Sequence, residues 1–266
     1  MKNTYLTGGL VKRAPLPPHQ VTAGQHVRVA FNERRLVRVL AVTAAVLVVV
    51  GFWSIYSVRF LPDFFAREMV WSLTYLNGET NLPALFSTLN LLLTAAILGM
   101  IAVVKRNVHD PFARTWTGLA LLAAYLGVDE GASLHEKLIE PVQKLIRLDG
   151  IFHYAWVVPY GLLALTVLVV CLRFLRHLPP GIRNAMILSG ALYVTGAFGL
   201  ELVEGYVQTH MGRDSFWMEI LIACEEALEM AGVILLIGTL LRYIRLYLPG
   251  MEVRLGVQDS SGPRPG

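Results

Sequence analysis

Apolar and polar positions divide the chain into six long apolar stretches, roughly 36–58, 84–104, 115–136, 153–175, 184–206 and 217–246, separated by short polar ones. A hydrocarbon core of about 30 Å is crossed by about 20 apolar residues in a helix. In lipid the backbone must satisfy its own amides, so apolar runs of this length predict helices. The pattern therefore predicts an all-α, polytopic membrane protein, a helical bundle of about six transmembrane helices. No internal repeat is visible.

The remaining segments predict the domain limits. Residues 1–35 contain "APLPPHQ", several glycines and no apolar period, which predicts a flexible cytoplasmic arm. The tail, 249–266, ends in "QDSSGPRPG" and reads likewise. Between them lies one membrane domain, 36–248. Within it, the outer segment 60–76 carries Phe60, Phe64, Phe65, Met69, Trp71 and Tyr75, which suit a short interfacial helix. Asn81 is placed to cap the second stretch, with Pro83 tolerated in its first turn. Gly190, Gly196 and Gly199, with Ala197 among them, allow close helix approach. Trp156, Pro159 and Tyr160 read as interface anchors and a helix bend, and Tyr193 as core. The first apolar run follows a long polar arm and is too long for the h-region of a cleaved signal.

Composition agrees with this class: 55% of residues are hydrophobic and 16% charged. The net charge of +4 would suit a nucleic-acid binder, but the basic residues cluster beside helix ends, so no nucleic-acid partner is expected. With the N-terminus inside, 17 of the 23 Lys and Arg lie on the cytoplasmic side. That bias predicts N-in, C-in topology in the inner (cytoplasmic) membrane of the cell, with the lipid bilayer as the chain's principal partner. The acids run the other way. Of 19, only Glu33, Asp110, Glu252 and Asp259 fall inside, and the other 15 lie outside or in the outer half. Acids contribute little to orientation, so this skew has another cause.

The acids concentrate on three stretches. The third holds Asp129, Glu130, His135 and Glu136 in "YLGVDEGASLHEKL". Read as one helix, it puts Asp129, Ser133 and Glu136 on one stripe, i, i+4, i+7. The fifth carries Glu201 and Glu204, and the sixth Glu225, Glu226 and Glu229. At about 1.5 Å per residue, Asp129, Glu130 and these five glutamates of the fifth and sixth stretches share one depth band, with His135, Glu136 and His153 at its outer edge. Glu136, Glu140 and Glu219 are also close enough to helix ends to be solvated there. The deeper groups are different, because a charge at mid-bilayer costs at least about 2.5–3.5 kcal/mol. They must face inward and be neutralised by protons, bases or metal. Within the outer half, His135 and His153 supply the nitrogen, with Lys137 near the rim, too few bases to balance seven carboxylates. Carboxylates with one or two imidazoles on facing helices match the ligand types of carboxylate-bridged di-metal sites. The E-x-x-H motif of those sites is missing; E-x-x-E occurs at 201/204 and 226/229. Such a ligand set suits a divalent Fe, Mn, Mg or Ca ion and leaves Zn open.

Five stretches carry a resemblance: "NGETNLPALFS", "DEGASLHEK", "HYAWVVP", "LELVEG" and "EEALEMAG". They resemble an uncharacterised family of bacterial multi-span membrane proteins with D-E-x4-H-E and E-E-x-L-E-M-x-G segments. The likeness covers about residues 77–245. In that family an aromatic often follows N-x-P, whereas Ala84 and Leu85 follow Pro83 here. The resemblance implies no particular activity.

Three functions fit these residues. The first is a membrane metalloenzyme acting on a lipid-like substrate, with metal on Asp129, Glu130, Glu201, Glu226 and Glu229 and on His135. The second is a cation or proton transporter, although "AGVILLIGTLL" below Glu229 offers only Thr239 as a polar side chain. The third is a non-catalytic subunit assembled with other membrane proteins. No G-x-G-x-x-G, Walker A or G-x-S-x-G motif adds another chemistry.

Overall fold

A computed structural model describes residues 32–250. Most of the expected arm and tail, residues 1–31 and 251–266, lie outside the described residues; the arm's last three residues, Glu33 to Arg35, are already helical. The described chain is helical, without a strand. Its α-helices are α1 (Glu33–Phe60), α2 (Arg67–Thr74), α3 (Leu82–Asn107), α4 (Ala113–Ala132), α5 (Ile139–Leu145), α6 (Val157–His177), α7 (Pro180–Val194), α8 (Glu201–Met211) and α9 (Phe216–Tyr247). Four helical stretches are long and apolar enough to cross a membrane: Glu33–Phe60, Leu82–Asn107, Val157–His177 and Pro180–Met211. The two other expected spans are present as helices α4 and α9, which carry acids within their apolar runs.

Local sequence explains where these helices start. Asn32 caps α1 by accepting from Arg35 N at 3.0 Å. Asn81 caps α3 by accepting from Ala84 N at 3.1 Å, with Pro83 in the first turn. The interfacial segment is shorter than 60–76. Ala66 adopts a left-handed conformation (φ 66°), and α2 begins only after it.

Two expected helices are interrupted, both at the acids. The span 115–136 stops at Ala132, where Ser133 turns left-handed (φ 49°). Asp129 is the cause: its carboxylate accepts the His135 amide at 2.9 Å, and its carbonyl accepts Leu134 N at 3.3 Å. A side chain that offers the backbone an alternative partner ends the helix. Lys137 Nζ donates to the carbonyl of Ala132, completing the cap. The expected Asp129, Ser133, Glu136 stripe therefore does not form, and Glu136 opens a 3₁₀ turn instead. The span 184–206 is likewise not one α-helix. Between α7 and α8, Thr195–Leu200 forms a π-turn, which seats one residue more than an α-turn.

The long helices alternate in direction. At one end of the bundle Arg245 pairs with Glu33 at 2.8 Å, Lys105 lies over Tyr243, and Phe112 packs on His177. At the other end Arg59 reaches the carbonyl of Asp214 and Thr209 reaches Asp149. The α9 helix runs through the middle, packed against α1, α3 and α7. The half nearer the basic end is a dry core in which Ile101, Trp116, Phe174, Ile237 and Leu240 are almost fully buried.

Glycines let α7 and its π-turn sit directly on α9. A Cβ on Gly232 would meet Tyr193 N at 2.8 Å and Ser189 O at 2.9 Å; one on Gly196 would meet Glu229 Cγ at 2.8 Å. Ser189 Oγ donates to Gly232 O across the same contact. Gly190 has open space around it and Gly199 meets only Thr195 of its own helix, so of the expected packing glycines only Gly196 is pressed against a second helix.

Candidate functional site

The interruptions in α4 and α7–α8 bring the acids into one space. At the end of the bundle away from the dry core lies a cavity of about 260 Å³. Asp129 and Glu130 reach it from the end of α4, and His135 and Glu136 from the turn that follows. Glu201 and Glu204 reach it from the start of α8, and Glu225, Glu226 and Glu229 from α9. His153 is not among the lining residues; it points at Asp149, 3.9 Å away. Asp149 is fixed there because it accepts from Gly150 N and Thr209 Oγ1, which hold its carboxyl below the usual range.

The lining groups have distinct surroundings. Glu201, Glu204 and Glu225 each present a carboxylate oxygen, and the three oxygens lie within 4.8 Å of one another. Glu204 is 3% exposed, and its Oε1 has no hydrogen-bond partner among the described residues. Trp156 Nε1 donates to Glu201 Oε1 at 3.1 Å. Asp129 is already engaged. Oδ1 takes the His135 amide and the Tyr160 hydroxyl (2.9 and 2.8 Å), and Oδ2 pairs with His135 Nδ1 at 3.0 Å. Asp129 thus orients His135, whose Nε2 is left for the cavity, as carboxylates do behind metal-binding imidazoles. Both Asp129 oxygens therefore have partners within the protein.

Sequence reasoning missed several cavity residues. Trp156 and Tyr160, read as interface anchors, line the wall, as do Tyr154, Tyr193 and Phe198. Trp156 and Tyr160 are spaced i, i+4, a visible signal that they share a stripe. Arg213 also lines the cavity, so the bases are not limited to histidines. It comes from the loop between α8 and α9, where Gly212 has φ 80° and Arg59 holds Asp214. No periodicity announces such a residue.

At the mouth, Glu136 faces Glu79 of the α2–α3 loop within hydrogen-bond reach. Burial and then the neighbouring Glu79 push the Glu136 carboxyl up to about 7, while its hydrogen bond to Glu136 holds Glu79 lower. Glu136 therefore holds its proton more tightly than Glu79 does. A carboxyl raised on folding stabilises below its unfolded pKa, and that contribution is lost as pH rises through its folded value. Thermal unfolding should therefore show stability falling between about pH 5 and pH 8. Glu136→Gln should flatten part of that fall, by a small amount because Glu136 keeps one side in solvent.

The fold and this cavity define a class: an all-helical protein with membrane-length apolar helices and an acid-lined chamber at one end. Residues 39–244 match the family described as a domain of unknown function, DUF8692, and the chain belongs to that family. No curated protein and no solved structure matches the chain.

Proposed function

We propose that this chain is a metal-binding protein of the inner membrane, acting as a metalloenzyme on a lipid-like substrate. Six helices, α1, α3, α4, α6, α7–α8 and α9, span the bilayer with both termini cytoplasmic. The basic end faces the cytoplasm and the chamber lies in the outer half. The observation that carries this reading is Glu204: 3% exposed, with an oxygen no described donor reaches, beside ligand oxygens of Glu201 and Glu225. Leaving such a group charged and unpaired is among the costliest arrangements in a protein interior. A divalent ion at these three oxygens removes that cost. Glu130, Glu226 and Glu229, with His135, line the same cavity, and a second ion of a di-metal carboxylate site would have to draw its ligands from them.

A bound divalent ion would supply Lewis acidity and an activated water. The residues of the chain do the rest: Asp129 and Tyr160 hold His135 in place, and Trp156 fixes Glu201. The dry core around Ile101, Ile237 and Leu240 closes the chamber toward the cytoplasm. This favours an enzyme over a transporter.

Elemental analysis of the purified chain tests the reading. At least one equivalent of a divalent metal is expected, and less than about a tenth of an equivalent across mild purification conditions would overturn it. Liposomes carrying the chain should show no cation or proton flux above protein-free liposomes.

A further inference from the structure

Along one side of the chamber α4 and α6 form a loose seam, bridged by side chains rather than by close backbone packing. Side chains touch across it at three levels: Trp116 on Phe174, Tyr125 on Tyr160, and His135 of the following turn on Trp156. The outward faces beside the seam are apolar. On α4, Leu121 is 68% and Val128 54% exposed, and on α6 Leu162 is 67% exposed. Tyr125 lies between Leu121 and Val128 at 40% exposure, so a hydroxyl interrupts the apolar stripe. That hydroxyl lies 2.5 Å from Tyr160 OH, and Tyr160 is a cavity residue.

The directions of these bonds are constrained. Tyr160 OH donates to Asp129 Oδ1, which uses its single hydrogen. Tyr125 is then the donor to the Tyr160 oxygen. A molecule that displaced Tyr125 would reach the chamber edge at Tyr160, and it would have to bring a donor of its own. Alcohols and phenols can do so; ethers, esters and quinones cannot. The cavity is smaller than the about 300–1,000 Å³ of drug-sized pockets, so it holds a head group and leaves an alkyl chain in the seam.

We propose that the α4–α6 seam is a side entrance from the bilayer, latched by the Tyr125–Tyr160 hydrogen bond, and that it admits an amphiphile with a hydroxyl head. This rests on the membrane reading above and names the substrate class of the same chamber. Tyr160 receives the head group and Tyr125 competes with it.

A photoactivatable long-chain alcohol bearing a diazirine tests this on the full chain in lipid nanodiscs, with labelled peptides mapped by mass spectrometry. Labelling is expected in 125–139 and 154–161. Dodecanol should suppress it strongly and dodecyl methyl ether little. Tyr160→Phe should lower labelling about fivefold, the effect of one hydrogen bond. Tyr125→Phe should raise it within the same two peptides, whereas misfolding would spread it over others. Equal competition by the ether, labelling spread along the Leu162–Val170 face, or no change in Tyr125→Phe would overturn the proposal. Metal content measured on the same samples separates the two readings. Metal without seam labelling sinks the entrance alone, and seam labelling without metal sinks the metal site alone.

Discussion

Glu204→Gln and Glu225→Gln are each expected to weaken divalent-metal binding about 100-fold, the loss of roughly 3 kcal/mol for a charge-assisted ligand. The same changes should make the metal-free protein more stable. Both carboxyls sit among other acids, and Glu204 is almost wholly buried with one oxygen unpartnered. Without an ion the two carboxyls must either repel as charges or take up protons, so an isosteric neutral amide relieves up to roughly 1–3 kcal/mol. For a chain of this size that raises the melting temperature by about 2–4 °C per kcal/mol. Titration calorimetry gives the first quantity and thermal unfolding in excess chelator the second. A merely structural role for either carboxylate would lower stability with or without metal. The crossed outcome, weaker binding with a stabler apo form, is specific to a cation site.

Gly232→Ala and Gly196→Ala should each be strongly disruptive, whereas Gly190→Ala should be close to neutral. The added methyl at Gly232 lands 2.8 Å from a backbone nitrogen and 2.9 Å from a backbone oxygen of α7, atoms that no rotamer change can move. At Gly196 it lands 2.8 Å from Glu229 Cγ and 2.9 Å from the carbonyl of Glu225. Overpacking of this kind costs about 1–3 kcal/mol, and more where both partners are backbone. Separating α7 from α9 also breaks the Ser189–Gly232 hydrogen bond and moves Glu201 and Glu204 away from Glu225. Metal affinity should therefore fall together with thermal stability in these two variants. Around Gly190 nothing lies within 4 Å, so its alanine variant is the control. Equal melting temperatures for all three would mean that the close contact is not what holds the helices together.

The chamber was largely legible in the sequence, because a carboxylate inside an apolar run is conspicuous and helical spacing puts Glu201 with Glu204 and Glu226 with Glu229. Helix position sets both depth and face, so the meeting of three segments followed from periodicity alone. The end of α4 was not legible. Nothing in "DEGASLHEK" marks Asp129 as a residue that binds the chain ahead of it, and the turn is held by the amides of Leu134 and His135 on Asp129. Arg213 and Glu79 belong to loops, whose paths are set by tertiary contacts such as that of Arg59 with Asp214. Tyr160 looked like an anchor because amphipathic rings serve equally well at an interface and on a polar cavity wall.

The π-turn at Thr195–Leu200 adds one residue to what is otherwise a continuous rod. Each residue of an α-helix turns the chain by about 100°, so an ordinary helix one residue shorter would aim the faces of α8 elsewhere. Glu201 and Glu204 would swing out of the chamber while the hydrophobic length stayed the same. One added residue in the α7–α8 rod is thus what aims these two acids at α9.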